Sequence, residues 1–107
     1  MQTDLGRLEN TFKQMASDGF DVNGPLKWGF FFFDSDKSKL IKVFDELKDH
    51  GYQQEDLNQL EDDEWRLFVS KVDILTPEKL HKRNIAFNEL AEHCDVALYD
   101  GWDVEKL

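Results

Sequence analysis

Cysteine and long apolar runs are both scarce in this sequence. Cys94 is the only cysteine among 107 residues, which excludes an internal disulfide and a cysteine-based zinc cluster and is typical of a reducing compartment. No segment approaches the ~18 apolar residues of a membrane helix, and no apolar stretch follows Met1 as it would in a secretory signal. We therefore expect a cytoplasmic protein that does not bind membranes.

Basic side chains are also in deficit, because 13 Lys and Arg stand against 23 Asp and Glu, a formal net charge of −10. Such a charge repels nucleic-acid phosphates and attracts basic partners, although in most acidic proteins it only maintains solubility. The acidic residues are concentrated in one place, because six of the ten residues from 55 to 64 are acidic. These six are Glu55, Asp56, Glu61, Asp62, Asp63 and Glu64.

Apolar residues are nevertheless sufficient for a core. They make up 40% of the chain, with 13% aromatic residues, and this length fits one domain spanning residues 1–107.

Three amphipathic helices are predicted from apolar residues spaced three and four apart. The first runs from about Asp4 to Asp18 and stops at Gly19. The second is capped by Ser35 or Asp36 and stops at Gly51. The third begins after Thr76-Pro77, an N-cap followed by proline at the first helical position. Its inward positions are Leu80, Phe87, Leu90, Ala91 and Cys94.

Four strands are predicted between these helices. They cover residues 27–34, which include four consecutive phenylalanines, then 52 to about 60, 65–72 and 96–99. The acidic residues 61–64 form the turn between the second and third strands. Asp100-Gly101 predicts a further turn directly after the last strand.

The resulting order, α-β-α-β-β-α-β, indicates an α+β fold. Without the first helix it is the ferredoxin-like βαββαβ arrangement, a four-stranded antiparallel sheet with strands one and three in the centre. Right-handed crossovers place both later helices on one face of the sheet. The outward half of Phe30–Phe33 then needs a cover, which either the N-terminal helix or a second copy of the chain would supply.

Residue patterns for catalysis or metal binding are weak. Asp34-Ser35-Asp36 resembles the start of a calcium loop, but Lys39 replaces the required glycine and Asp45 the final glutamate. His50, His81 and His93 lack metal-ligand spacing. Cys94 lies near a helix C-terminus, which disfavours a thiolate. We therefore expect no catalytic residue, no metal and no cofactor. Stacking of RNA bases on Phe30–Phe33 is disfavoured by the negative charge.

Several short motifs follow one another along the chain. Asp18-Gly19-Phe20-Asp21 follows the first helix, and Gly51-Tyr52 opens the second strand. Leu90-Ala91-Glu92 and Asp95-Val96 lead into the closing motif, whose residues are Tyr99, Asp100, Gly101 and Trp102. Together these motifs resemble the family of regulators of ribonuclease activity B, small acidic bacterial proteins that inhibit ribonuclease E. The resemblance covers about residues 10–103, and the closing motif is its most specific part.

The resemblance implies a non-enzymatic protein that binds the Arg-rich, disordered C-terminal region of ribonuclease E and modulates RNA degradation, in agreement with the negative charge. The expected partner-binding residues are Glu61, Asp62, Asp63 and Glu64, with Asp100 and Trp102 nearby if the last strand lies at the accessible edge. The alternative is an oligomerising module that pairs through its sheet face. An enzyme or metal protein is a third, weaker alternative.

Overall fold

The computed structural model describes residues 1–107, which form three α-helices and one sheet. The helices are α1 (Leu5–Ser17), α2 (Lys37–Leu47) and α3 (Pro77–His93), and short 3₁₀ segments lie at Lys48–His50 and Glu61–Asp63. None of the helices is long and apolar enough to cross a membrane.

Side-chain caps fix where the helices begin. Asp4 accepts from the backbone N–H of Arg7, Asp36 from that of Ser38, and Thr76 from that of Lys79. Each cap satisfies an N–H group that has no partner inside its own helix. The predicted starts of the first and third helices are confirmed, and Asp36 rather than Ser35 caps the second.

The four strands form one antiparallel sheet in the order β2-β3-β1-β4. Strands one and three are therefore central, as predicted, and the fold is compatible with a ferredoxin-like arrangement carrying an extra N-terminal helix. The strand bounds are β1 (Leu26–Asp34), β2 (Gln53–Gln59), β3 (Trp65–Asp73) and β4 (Leu98–Glu105).

The last strand differs from the prediction, because Asp100-Gly101 is not a turn after it but lies inside it. Gly101 pairs with Phe31 and Tyr99 pairs with Phe32, so Asp100 is an extra residue in a β-bulge. Gly101 has φ +109°, a conformation that glycine adopts without steric cost. The same residue types that favour a turn thus allow β4 to continue to Glu105.

One face of the sheet carries the helices and an aromatic core. Trp28, Phe30 and Phe32 of β1 are buried on this face, because alternate residues of a strand point to the same side. The Phe87 ring of α3 lies with its centroid 4.9 Å from that of Phe30, and Tyr99 lies 5.0 Å from Phe32, also between centroids. These contacts attach α3 and β4 to the centre of the sheet.

The N-terminal helix packs on this same face. Phe12 of α1 stacks on Trp28 with ring centroids 5.7 Å apart, so the apolar side of α1 is used within the helix layer. Of the two covers proposed for the outward phenylalanines, the N-terminal helix is therefore excluded. Phe31 and Phe33 point to the opposite face, which no helix covers.

The inward side of α3 is close to the prediction. Leu80, Phe87 and Ala91 are buried, whereas Leu90 and Cys94 are only partly buried against the core. Asn84, which was not predicted to be inward, is fully buried.

Asp34 ties three elements together at one end of β1. Its Oδ1 accepts from the N–H of Asp36 at 2.7 Å, and its Oδ2 accepts from the N–H of Ala97 at 2.8 Å. Both carboxylate oxygens of this buried residue therefore serve the backbone. The motif that resembled a calcium loop is a junction between β1, the start of α2 and the segment before β4.

Candidate protein-binding surfaces

The acidic turn, defined as Glu61–Glu64, connects β2 to β3. All four side chains are exposed, and no salt bridge neutralises any of them. Their one side-chain hydrogen bond is a long contact of 3.5 Å, donated by Gln59 Nε2 to Asp63 Oδ1. Asp62 and Asp63 have φ values of 61° and 60°, so the chain bends sharply here and presents consecutive carboxylates to solvent.

Asp100 and Trp102 lie at the other edge of the sheet. Strand β4 is an edge strand, but β3 and β1 separate it from β2. The acidic turn joins β2 to β3, so two to three strand spacings, roughly 10–14 Å, separate it from β4. Asp100 is exposed at the bulge, while Trp102 is partly buried on the helix face with its ring centroid 5.6 Å from that of Trp28. The structure therefore does not bring these two residues together with the acidic turn.

The motif residues at the end of α1 have structural roles. Asp18 is the C-cap, and Gly19 has φ +92°. The N–H of Phe20 donates back to the carbonyl of Met15 at 3.0 Å, which ends the helix. Asp21 Oδ1 accepts from the N–H of Asn23 at 3.2 Å.

The motif aromatics belong to the core. Gly51, at φ +86°, turns the chain into β2, and the Tyr52 ring then packs edge-on against Phe30 and Phe87. Tyr99 is 1% exposed, and its hydroxyl donates to Oδ1 of the fully buried Asn84 at 2.6 Å. Burial raises the pKa of Tyr99 far above its usual value. The motif thus contributes more to the fold than to an exposed surface.

A second surface is the open face of the sheet, defined as the side away from the helices. Phe31, Phe33 and Phe68 are half-buried there, and none belongs to the core or to the residues packed against it. The rings of Phe31 and Phe68 stack in parallel with centroids 4.5 Å apart. Leu98 and Val72 on the same face are 41% and 54% exposed, so solvent reaches apolar side chains on this face.

Charged side chains surround these phenylalanines. Lys27 pairs with Glu55 at 3.1 Å, and Arg66 pairs with Asp56 at 2.9 Å. The Ser70 hydroxyl donates to Glu55 at 2.6 Å. This hydrogen bond and Lys27 lower the pKa of Glu55, so its carboxylate is held in the ionised state.

Asp103 and Glu105 are the exceptions on the open face, because neither has a salt bridge or a side-chain hydrogen bond in the structure. Partial burial is the main cause that raises the pKa of Asp103. Repulsion from Glu105 adds to this increase, and attraction by Lys27 offsets it only in part. The open face thus holds a pair of carboxylates that form no salt bridge. The sequence indicated the aromatic part of the open face, because Phe31 and Phe33 alternate with residues that are buried on the other side of β1. The part that β4 contributes was missed, because the length of that strand was not predicted.

Cysteine and histidine form no clustered site. Burial and the neighbouring Glu46 raise the pKa of the Cys94 thiol, which disfavours the reactive thiolate. His81 Nδ1 lies 3.1 Å from Thr3 Oγ1, and His50 and His93 are exposed. No three or more His, Cys, Asp or Glu residues are grouped in a way that could hold a metal ion.

The fold is an α+β sandwich whose exposed carboxylates attract basic groups at long range. The model of the family described as Regulator of ribonuclease activity B matches residues 7–104. The chain therefore belongs to this family, as the motif resemblance predicted, and membership implies regulation of ribonuclease activity through a protein partner. Comparison with individual curated proteins gives no match.

Proposed function

We propose that this protein binds a basic segment in the C-terminal region of ribonuclease E and modulates RNA cleavage without catalysing a reaction itself. The proposal places the protein in the cytoplasm. The observation that carries it is the acidic turn, in which the side chains of Glu61–Glu64 are exposed and unpaired. Family membership supports the regulatory role.

The interaction is electrostatic and spread over several weak contacts. One exposed ion pair contributes only about 0–1 kcal/mol, so a single carboxylate of the turn cannot hold a partner. A flexible Lys- and Arg-bearing segment can adapt to several carboxylates at once, and the net charge of −10 accelerates its approach. Binding should therefore weaken steeply with ionic strength.

The test uses the complete chain and the C-terminal half of ribonuclease E. The variant carries Glu61→Gln, Asp62→Asn, Asp63→Asn and Glu64→Gln. Asparagine tolerates the positive φ of residues 62 and 63, so the turn is retained. At about 0.3–0.5 kcal/mol for each lost pair, affinity should fall about tenfold or more, measured by calorimetry at low salt.

A matched control removes the same number of charges elsewhere. Glu46, Asp49, Glu89 and Glu92 are exposed and make no side-chain hydrogen bond or salt bridge, and their amide variants should retain most of the affinity. Equal losses in the two variants would show that only net charge matters. Absence of salt-sensitive binding, or unchanged RNA cleavage when the protein is added, would refute the proposed function.

The second candidate function is an oligomerising module, which is favoured by the uncovered Phe31 and Phe33. It predicts a stable dimer by sedimentation, and the dimer should dissociate in Phe31→Glu. A monomer at all accessible concentrations would eliminate it.

A further inference from the structure

We infer that the open face of the sheet is a second protein-binding surface. An arginine side chain of an extended basic segment binds there against the Phe31–Phe68 stack and the carboxylates of Asp103 and Glu105. This inference rests on the proposed function only in that the partner is a basic protein segment. It assigns that segment a contact surface distinct from the acidic turn.

The aromatic part of this surface lies outside the core. Phe31 and Phe68 stack on each other and are absent from the buried cluster on the helix side. Each ring of a stacked pair keeps one face that the other ring does not cover. Such ring faces carry negative charge density, which attracts a planar guanidinium.

The carboxylate part adjoins the aromatic part at Gly29. A Cβ atom at this position would collide with the Phe68 ring and with a carboxylate oxygen of Asp103. Both groups therefore lie directly over Gly29 and close to each other. The planar guanidinium of arginine can stack on an aromatic ring and, at the same time, donate hydrogen bonds within its own plane to a carboxylate. The ammonium of lysine acts only as a point charge.

The charge balance of the face favours a cationic occupant. Lys27 and Arg66 form their salt bridges with Glu55 and Asp56. Lys27 also attracts Asp103 and Glu105, but neither of these two carboxylates forms a salt bridge of its own. A second copy of the chain would add another net charge of −10, so its approach to this face is opposed by repulsion. RNA is disfavoured by the same repulsion. A basic protein segment is the occupant whose charge complements this surface.

The test is a nuclear magnetic resonance titration of the ¹⁵N-labelled full chain with two synthetic peptides of alternating Gly and Arg, or Gly and Lys. We expect the Arg peptide to shift the amide signals of Gly29, Phe31, Phe68 and Asp103, and to bind several-fold more tightly than the Lys peptide. Equal binding of the two peptides, or no shift on the open face at saturation, would overturn the inference.

Two variants separate the carboxylate and aromatic contributions. Asp103→Asn with Glu105→Gln should weaken the Arg peptide about fivefold, against a control of Glu46→Gln with Asp49→Asn that stays within about twofold. Phe68→Leu keeps apolar bulk but removes the ring, so it should reduce the preference for Arg over Lys. Phe44→Leu, which removes a half-buried ring of α2 on the helix side, should leave that preference intact. Retained affinity in the double variant, or retained preference in Phe68→Leu, would refute the respective contact.

A parallel titration with the C-terminal region of ribonuclease E distinguishes this inference from the proposed function. If that region binds and shifts only Glu61–Glu64, the inference fails and the proposed function stands. If it does not bind while the Arg peptide occupies the open face, the proposed function fails and the inference stands. Shifts on the open face that depend on protein concentration without any peptide would identify a second copy as the occupant and overturn the inference.

Discussion

Replacing Tyr99 by phenylalanine removes one oxygen from the interior and tests the buried hydrogen bond between β4 and α3. The Tyr99 hydroxyl lies 2.6 Å from Asn84 Oδ1, and the two residues are 1% and 0% exposed. Without the hydroxyl, the amide oxygen is left buried without this donor. An unsatisfied buried polar group costs about 1–3 kcal/mol, so we expect the free energy of unfolding to fall by about 2 kcal/mol.

Two measurements check this value. The unfolding entropy of about 2.1 cal/mol/K per residue gives, for 107 residues, a decrease in Tm of about 9 °C for a loss of about 2 kcal/mol. In urea, the midpoint should fall while the slope stays unchanged, because the surface exposed on unfolding is nearly the same.

A double-mutant cycle with Asn84→Leu isolates the pair. Each single variant leaves one polar group of the pair without its partner, whereas the double variant replaces both by apolar groups. The double variant should therefore lose less stability than the two single variants together, by about 1 kcal/mol or more. A loss below about 0.5 kcal/mol for Tyr99→Phe, or strictly additive losses, would refute this role of the pair.

Three further predictions concern stability. Gly29→Ala should destabilise by about 2 kcal/mol in urea unfolding, because the new methyl group displaces the Phe68 ring and the Asp103 carboxylate; an unchanged midpoint would show that both side chains move without cost. Thr76→Ala should cost about 1 kcal/mol, because the N–H of Lys79 loses its acceptor at the start of α3, whereas Thr76→Ser should retain most of the stability in the same assay. Burial raises the pKa of both Tyr52 and Tyr99. The stability that their neutral hydroxyls contribute is therefore complete below the ordinary tyrosine pKa of 10.0 and is lost as the pH rises above that value. Tyrosinate absorbance that appears before the protein unfolds would contradict this prediction.

Local signals predicted the elements well because caps and periodicity act over a few residues. Thr76-Pro77 identified the start of α3, and the two most apolar segments became the central strands β1 and β3. The same spacing could also have identified Asn84 as an inward residue. It lies four residues after Leu80 and three before Phe87, on the buried side of α3.

The remaining features depend on contacts between distant parts of the chain. Positive φ at Gly101 suits a turn and a bulge equally, and only pairing with β1 decides between them. The side of the sheet that α1 covers follows from the stack of Phe12 on Trp28, across the sequence from α1 to β1. Likewise, the distance between the acidic turn and Asp100 follows from the strand order and not from residue types.

The central position of β1 also determines when the protein can fold during synthesis. Strand β1 is made early, but its partners β3 and β4 begin at Trp65 and Leu98. Until β4 emerges from the ribosome, the four phenylalanines of β1 lie in a strand with one unpaired backbone edge, the kind of segment on which nascent chains aggregate. The native sheet is therefore completed only after Leu98–Glu105 has been translated, and chaperones that cover strand edges should act on this chain before β4 docks.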